Sequence, residues 1–225
     1  MKTPVVLPSV LSFDFRHIEN ELARMEKAGL SFLHYDVMDG RFVPDISFGE
    51  AVFAQLVPAG FKADVHLMVA DPLPHVKNFF ALKAAEVTVH FEAIEKDVFG
   101  FLDQVGPLRK GRVLGLAFNP DTPLTAIAPL LPYFDKVMAM TVFPGRSGQS
   151  FVAGGVARVA RLCQLAAEAN PRMAVEVDGG ITDVTGPLCV KAGARLLVSG
   201  SFLCRADDPA RAAAAIRGTG VSGQN

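Results

Sequence analysis

His34-Tyr35-Asp36-Val37-Met38-Asp39-Gly40 sits in an apolar, β-branched context that opens at Leu33 and stops at a glycine. That pattern predicts a strand feeding a loop. Side chains alternate along a strand, so His34, Asp36 and Met38 share one face and Leu33, Tyr35 and Val37 the other. An imidazole and a carboxylate on one face of a buried strand each need a partner. They can satisfy each other by a hydrogen bond, the ordinary outcome, or together they can hold a divalent metal. The surrounding sequence decides between the two.

Outward from this segment, β-type runs recur at short intervals with helix-like stretches between them. The strands are expected at Val5 to Leu11, Phe32 to Met38, Ala63 to Val69, Val87 to Phe91, Val113 to Phe118, Val137 to Val142, Met173 to Val177 and Leu196 to Ser199. The helices are expected at Arg16 to Ala28, Phe48 to Leu56, Pro72 to Leu82, Phe99 to Val105, Leu124 to Leu130, Val152 to Ala169, Val184 to Ala192 and Pro209 to Arg217. Alternation of this kind implies a parallel sheet with helices outside, and eight units close into a (β/α)8 TIM barrel. An open doubly wound sheet fits less well, because its glycine fingerprint is missing after the first strand. No linker divides the chain, so residues 1–217 are read as one barrel domain and residues 218–225, rich in Gly and Ser, as a frayed tail.

Composition narrows the function classes. The 225 residues carry a formal net charge of −1, with no basic run, which argues against nucleic acid. No apolar stretch is long enough to span a bilayer, so no membrane partner is expected. Cys163, Cys189 and Cys204 are sparse and odd in number, as for free thiols in a reducing compartment. The start runs straight into a strand-like segment and does not read as a signal peptide. A cytoplasmic protein is expected, and a homo-oligomer.

In such a barrel the active site lies at the C-terminal ends of the strands, and polar residues gather there. His34, Asp36, His66 and Asp178 converge from strands two, three and seven. Mixed imidazole and carboxylate ligands suit one Zn, Fe, Mn or Co ion, with geometry choosing among them; the plainer reading is four hydrogen-bonded residues at a polar barrel mouth. Asp178-Gly179-Gly180 and Gly200-Ser201 follow strands seven and eight, the usual place for a phosphate in this fold. Each glycine alone could simply make a turn. Gly145-Arg146-Ser147-Gly148 after strand six suits a mobile lid. Met38, Met68 and Met140 are core residues by type, but their place at three strand ends suggests an apolar ceiling. His90 and Glu92 read as a structural hydrogen-bonded pair, and Glu176 as a group that orients a histidine.

The sequence closely resembles the ribulose-phosphate 3-epimerases. The resemblance rests on Pro8-Ser9-Val10-Leu11-Ser12, on His34 to Gly40 with Phe42-Val43-Pro44, and on Asp64-Val65-His66-Leu67-Met68-Val69. It continues through Asn119-Pro120, Met140-Thr141-Val142 with Pro144-Gly145, Glu176 to Gly180, and Ser199-Gly200-Ser201. It implies a metal-dependent barrel of the ribulose-phosphate-binding type that interconverts D-ribulose 5-phosphate and D-xylulose 5-phosphate in carbohydrate metabolism, within the pentose phosphate pathway. It further implies His34, Asp36, His66 and Asp178 as ligands of one divalent metal per subunit, and Asp36 and Asp178 as the acid–base pair. Ser9, His66, Gly145, Arg146, Ser147, Gly148, Gly179, Gly180, Gly200 and Ser201 become the implied substrate contacts. Two segments depart from the family. Its strand-six loop usually reads Gly-Phe-Gly-Gly-Gln, here Gly145-Arg146-Ser147-Gly148-Gln149, and Asp45 stands where Asn usually follows Phe-Val-Pro.

Inverting a carbon beside a carbonyl requires a proton taken from one face and another given to the opposite face. Two carboxyl groups in opposite protonation states can do this. A barrel lyase working through a Schiff base would need a lysine at a strand C-terminus, whereas Lys62 and Lys136 are at strand starts. A non-catalytic sugar-phosphate-binding barrel would not need facing carboxylates. A 3-epimerase for a related ketose phosphate, such as allulose 6-phosphate, is the nearest alternative.

Overall fold

The computed structural model describes residues 3–57, 60–146 and 148–219. Eight parallel strands alternate with helices: β1 (Val5–Pro8), α1 (Ile18–Lys27), β2 (Phe32–Met38), α2 (Glu50–Leu56), β3 (Lys62–Met68), α3 (Pro72–Ala81), β4 (Glu86–His90), α4 (Phe91–Ile94), α5 (Val98–Arg109) and β5 (Val113–Phe118). There follow α6 (Leu124–Ile127), β6 (Lys136–Met140), α7 (Gly155–Ala169), β7 (Ala174–Asp178), α8 (Thr185–Ala192), β8 (Leu196–Ser199), α9 (Ser201–Cys204) and α10 (Pro209–Arg217). The strands hydrogen-bond in the order β1-β8-β7-β6-β5-β4-β3-β2. A single parallel bridge between Ser9 and His34 joins the two ends. The chain is a (β/α)8 barrel.

Strand periodicity sorts the side chains as the sequence requires. Leu33, Tyr35 and Val37 of β2 are buried in the apolar layer between barrel and helices. There the Tyr35 ring meets Phe53 edge-on at 5.0 Å, and its hydroxyl donates to the Leu56 carbonyl at 2.7 Å. His34, Asp36 and Met38 point into the barrel. The register sets His34 beside Asp64, Asp36 beside His66 and Met38 beside Met68. On the far side Met138 pairs with Glu176 and Met140 with Asp178. Leu7, Leu196 and Val198, with Phe32 and Ala174, form a separate apolar cluster across β1, β2, β7 and β8.

Several boundaries differ from expectation. β1 ends at Pro8, because Val10–Ser12 turns into a 3-10 helix. The helix expected at Leu124 to Leu130 gives way after Ile127 to a 3-10 helix, Ala128–Tyr133, that contains Pro129 and Pro132. Proline lacks the N–H that α-helical pairing requires. The one-turn helices α4 and α9 have no counterpart in the sequence reading. Gly218 caps α10 in the left-handed region, φ 73°; of the tail read at 218–225, residues 220–225 lie outside the described residues.

Candidate metal centre and active site

The upper barrel interior brings together residues far apart in sequence. His34, Asp36, His66 and Asp178 each offer a ligand atom within 4.8 Å of the others. His34 Nε2 is 3.2 Å from Asp36 Oδ1 and 3.8 Å from Asp178 Oδ2. His66 Nδ1 is 3.2 Å and 3.6 Å from the same two atoms. Bonds of about 2.1 Å to a tetrahedral cation would separate ligands by about 3.4 Å, so the cluster has the right size. His34 Nε2 is also buried and makes no hydrogen bond among the described residues. A buried histidine nitrogen left without a hydrogen-bond partner beside two carboxyl groups is what a cation would satisfy. The four residues fit a divalent metal.

The groups around them fix their charge. Ser9 Oγ donates to Asp36 Oδ2 at 2.7 Å. Burial disfavours the Asp36 carboxylate, but His34 and His66 outweigh it and hold its pKa well below the usual range. Asp178 goes the other way. Burial and the neighbouring Asp36 charge push its pKa up to about 7. His34 is fully buried, yet Asp36 and Asp64 hold its pKa well above the ordinary value. Burial lowers that of His66.

Asp64, which the sequence reading left without a role, is the group that orients His34. Its Oδ2 is 2.8 Å from His34 Nδ1, whereas Glu176 Oε1 is 3.7 Å away. Glu176 was expected to orient a histidine; it faces Lys136 instead. Lys136 Nζ lies 2.5 Å from Glu176, 2.6 Å from Asp64 and 2.8 Å from Glu86. This ammonium occupies the space below His34, so the second acidic group there, Asp64 with Glu176, already has its cation. Lys136 was invisible to sequence reasoning as an interior residue, although its place at an inward position of a strand was a signal.

Above the four residues opens a cavity of about 360 Å³. Asp36, Asp178 and Ser9 form part of its wall, and the buried methionines Met38, Met68 and Met140 form another. Gly145, Arg146 and Gly148 border it on the β6 side, with Gly179, Gly180, Gly200 and Ser201 on the β7–β8 side. Ser147 lies outside the described residues. His66 has no exposed surface and does not border the cavity. Gly180 has φ +63°, and a Cβ there would come 2.7 Å from the Phe151 backbone nitrogen. The β6 loop is tied by Gln149 Nε2, which donates to the carbonyls of Phe143 at 2.7 Å and Arg146 at 2.9 Å. His90 and Glu92 are hydrogen-bonded, as expected, at 3.0 Å. His17 and His75 stand apart on helical segments.

Among the described residues no helix is long and apolar enough to cross a membrane. Solved structures that share the fold include a KGPDC from Streptococcus mutans, with a TM-score of 0.69 at 14% identity over 97% of both chains. A 3-hexulose-6-phosphate synthase aligns with a TM-score of 0.67 at 20% identity, covering 98% of this chain and 100% of that one. Sequence relatives are nearer. The ribulose-phosphate 3-epimerase of Bacillus subtilis is 35% identical over 95% of this chain and 98% of its own length. The chloroplastic ribulose-5-phosphate-3-epimerase of Arabidopsis thaliana is 37% identical over 95% of this chain and 76% of its own. The profile of the ribulose-phosphate 3 epimerase family matches residues 5–204. With that span and those identities, the chain belongs to the ribulose-phosphate 3-epimerase family, whose members are isomerases.

Proposed function

We propose that this protein interconverts D-ribulose 5-phosphate and D-xylulose 5-phosphate by inverting C3, with Asp36 and Asp178 as its two proton carriers. The observation that carries the reading is that Asp36 and Asp178 both wall one cavity, in surroundings that push their pKa values apart. His34 and His66 hold Asp36 below the usual range, while burial and the Asp36 charge push Asp178 up to about 7. One carboxylate ready to accept a proton and one carboxyl ready to give one is what a transfer across two faces requires. The two aspartates titrate as a pair, so a pH–rate profile reports both.

A divalent cation held by His34, Asp36, His66 and Asp178 would act as a Lewis acid for the negative charge that develops on the sugar oxygens. Zn, Fe, Mn and Co all suit this donor set. Ser9 steadies Asp36 through its hydrogen bond and keeps one carboxylate oxygen occupied. Asp64 accepts from His34 Nδ1, so Nε2 is the nitrogen that would face the cation. The glycine turns at Gly179-Gly180 and Gly200-Ser201, with Gly145 to Gly148, are proposed to hold the phosphate and fix the sugar for both transfers. Met38, Met68 and Met140 keep water from the apolar side of the cavity. His66 acts from behind Asp36 and not by touching the sugar. All three cysteines are free thiols, which fits a reducing cytoplasm.

A six-carbon ketose phosphate is the second reading. Arg146 borders the cavity where the family usually has Phe, so selectivity could differ. The test is solvent deuterium exchange at C3 for a panel of ketose 5- and 6-phosphates with defined metals. Asp36→Asn and Asp178→Asn should each lose about 10²–10⁴-fold in turnover. Normal epimerisation by either variant would overturn the assignment, and preference for a six-carbon substrate would favour the second reading.

A further inference from the structure

His90 and Glu92 do not border the cavity, yet they connect to it. The His90 ring stacks on His66 with centroids 5.0 Å apart and planes at 21°. Their Nε2 atoms are 2.9 Å apart. Two nitrogens at that distance share one proton, and something else must decide which of them carries it. The deciding group is Glu92. Its Oε1 accepts from the Asn119 backbone N–H at 2.8 Å and from the Thr122 hydroxyl. Its Oε2 lies 3.0 Å from His90 Nδ1. A carboxylate that accepts on both sides makes His90 Nδ1 the donor. A neutral imidazole has one N–H, so His90 Nε2 is bare and His66 Nε2 must donate to it. His66 Nδ1 is then a lone pair aimed at Asp36 and Asp178. Asp36 alone, 3.2 Å from that nitrogen, would favour the other tautomer, with the proton on Nδ1 and no lone pair to offer.

We propose that Glu92 and His90 are positioning residues: a two-link relay that sets His66 in the tautomer whose Nδ1 can ligate a cation. A ligating histidine commonly donates its far N–H to a carboxylate or carbonyl; here a second imidazole is interposed. The consequence for metal binding rests on the metal reading of the four-residue cluster, but the tautomer assignment does not.

Glu92→Gln tests the relay by reversing it. The Asn119 N–H cannot turn around, so the amide carbonyl must face it and the amide NH2 must face His90 Nδ1. His90 then carries its proton on Nε2 and gives it to a bare His66 Nε2. Imidazole 15N NMR on the chelator-treated full chain should place the His90 proton on Nδ1 in the wild type and on Nε2 in Glu92→Gln. Zinc affinity by competition titration should fall about 10–100-fold in Glu92→Gln, and less in Glu92→Ala, which removes the anchor without reversing it. A tautomer that flips while neither protein binds zinc would leave the relay standing and sink the metal reading. An unchanged His90 tautomer, or wild-type zinc affinity in a variant whose tautomer has flipped, would overturn the proposal.

Discussion

Arg146 Nε lies 3.4 Å from Asp45 Oδ2 at the cavity mouth. Both stand where the sequence leaves the family pattern, Asp45 after Phe-Val-Pro and Arg146, with Ser147, in the strand-six loop, and Asp45 and Arg146 are each other's partner. The Arg146 side chain is 73% exposed, so the pair adds at most about 1 kcal/mol to stability. Its effect should be on capture of a phosphate dianion. Arg146→Phe should raise KM for the ketose phosphate with little change in kcat, and Asp45→Asn, which frees the cation, should lower KM. Added salt should raise the wild-type KM more than that of Arg146→Phe. Steady-state kinetics at two ionic strengths check this, and equal salt dependence would refute it.

Lys136 is 1% exposed and surrounded by Asp64, Glu86 and Glu176. Burial opposes its charge, but the three carboxyl groups outweigh burial and hold its pKa well above the ordinary value. Gly115 makes the room, since a Cβ there would lie 3.0 Å from Lys136 Cε. Lys136→Met leaves buried acids without their cation and should cost about 3–5 kcal/mol. Adding Glu176→Gln should recover part of that loss. Chemical denaturation of the single and double variants measures both, and purely additive losses would show that the charges are not coupled.

The sequence showed the inward and outward faces of β2 directly, and the bounds of β5, β8 and α10 match expectation to the residue. Long periodic segments carry that information in every residue. The one-turn helices α4 and α9 are too short to show a period. The lower half of the site was hidden for a different reason. Asp64 meets Lys136 across 72 positions of sequence, a contact that exists only once the barrel has closed. The sequence put Lys136 at the wrong end of a strand for catalysis, which was right, but had no means of seeing that it balances Asp64 beneath His34. His90 was read as paired with Glu92, and only the fold reveals the His66 ring stacked on it.

Gly180 stands at φ +63°, with the Phe151 backbone pressed against the place of a Cβ. Gly180→Ala must shift one backbone or the other, costing about 1–3 kcal/mol. The proposed phosphate turn would move with it. KM for the sugar phosphate should rise while the stoichiometry of bound divalent metal stays at that of the wild type. Metal analysis alongside kinetics separates the two effects; an unchanged KM would remove this turn from the phosphate site.

Asp178 sets a pH dependence whose sign can be worked out. Its pKa moves from an ordinary 3.8 up to about 7, through burial and then the charge of Asp36. Between those values the folded chain, with metal chelated, keeps a proton that the unfolded chain has released. Stability contributed by this site therefore falls as pH rises from about 4 to about 7. His66 and His90, whose pKa values are lowered, act in the opposite sense, so the wild-type profile alone is a mixture. The difference between Asp178→Asn and wild type isolates the aspartate, because asparagine does not titrate. In chelator, the variant should gain stability relative to wild type across that interval and level off above it. A divalent cation should reverse the order above pH 7, since it favours the carboxylate that only the wild type can supply. Denaturant titrations at several pH values, with and without metal, measure both arms. Parallel profiles in chelator would mean that Asp178 is already ionised near pH 4, and the proton donor of the proposed epimerisation would have to be another group.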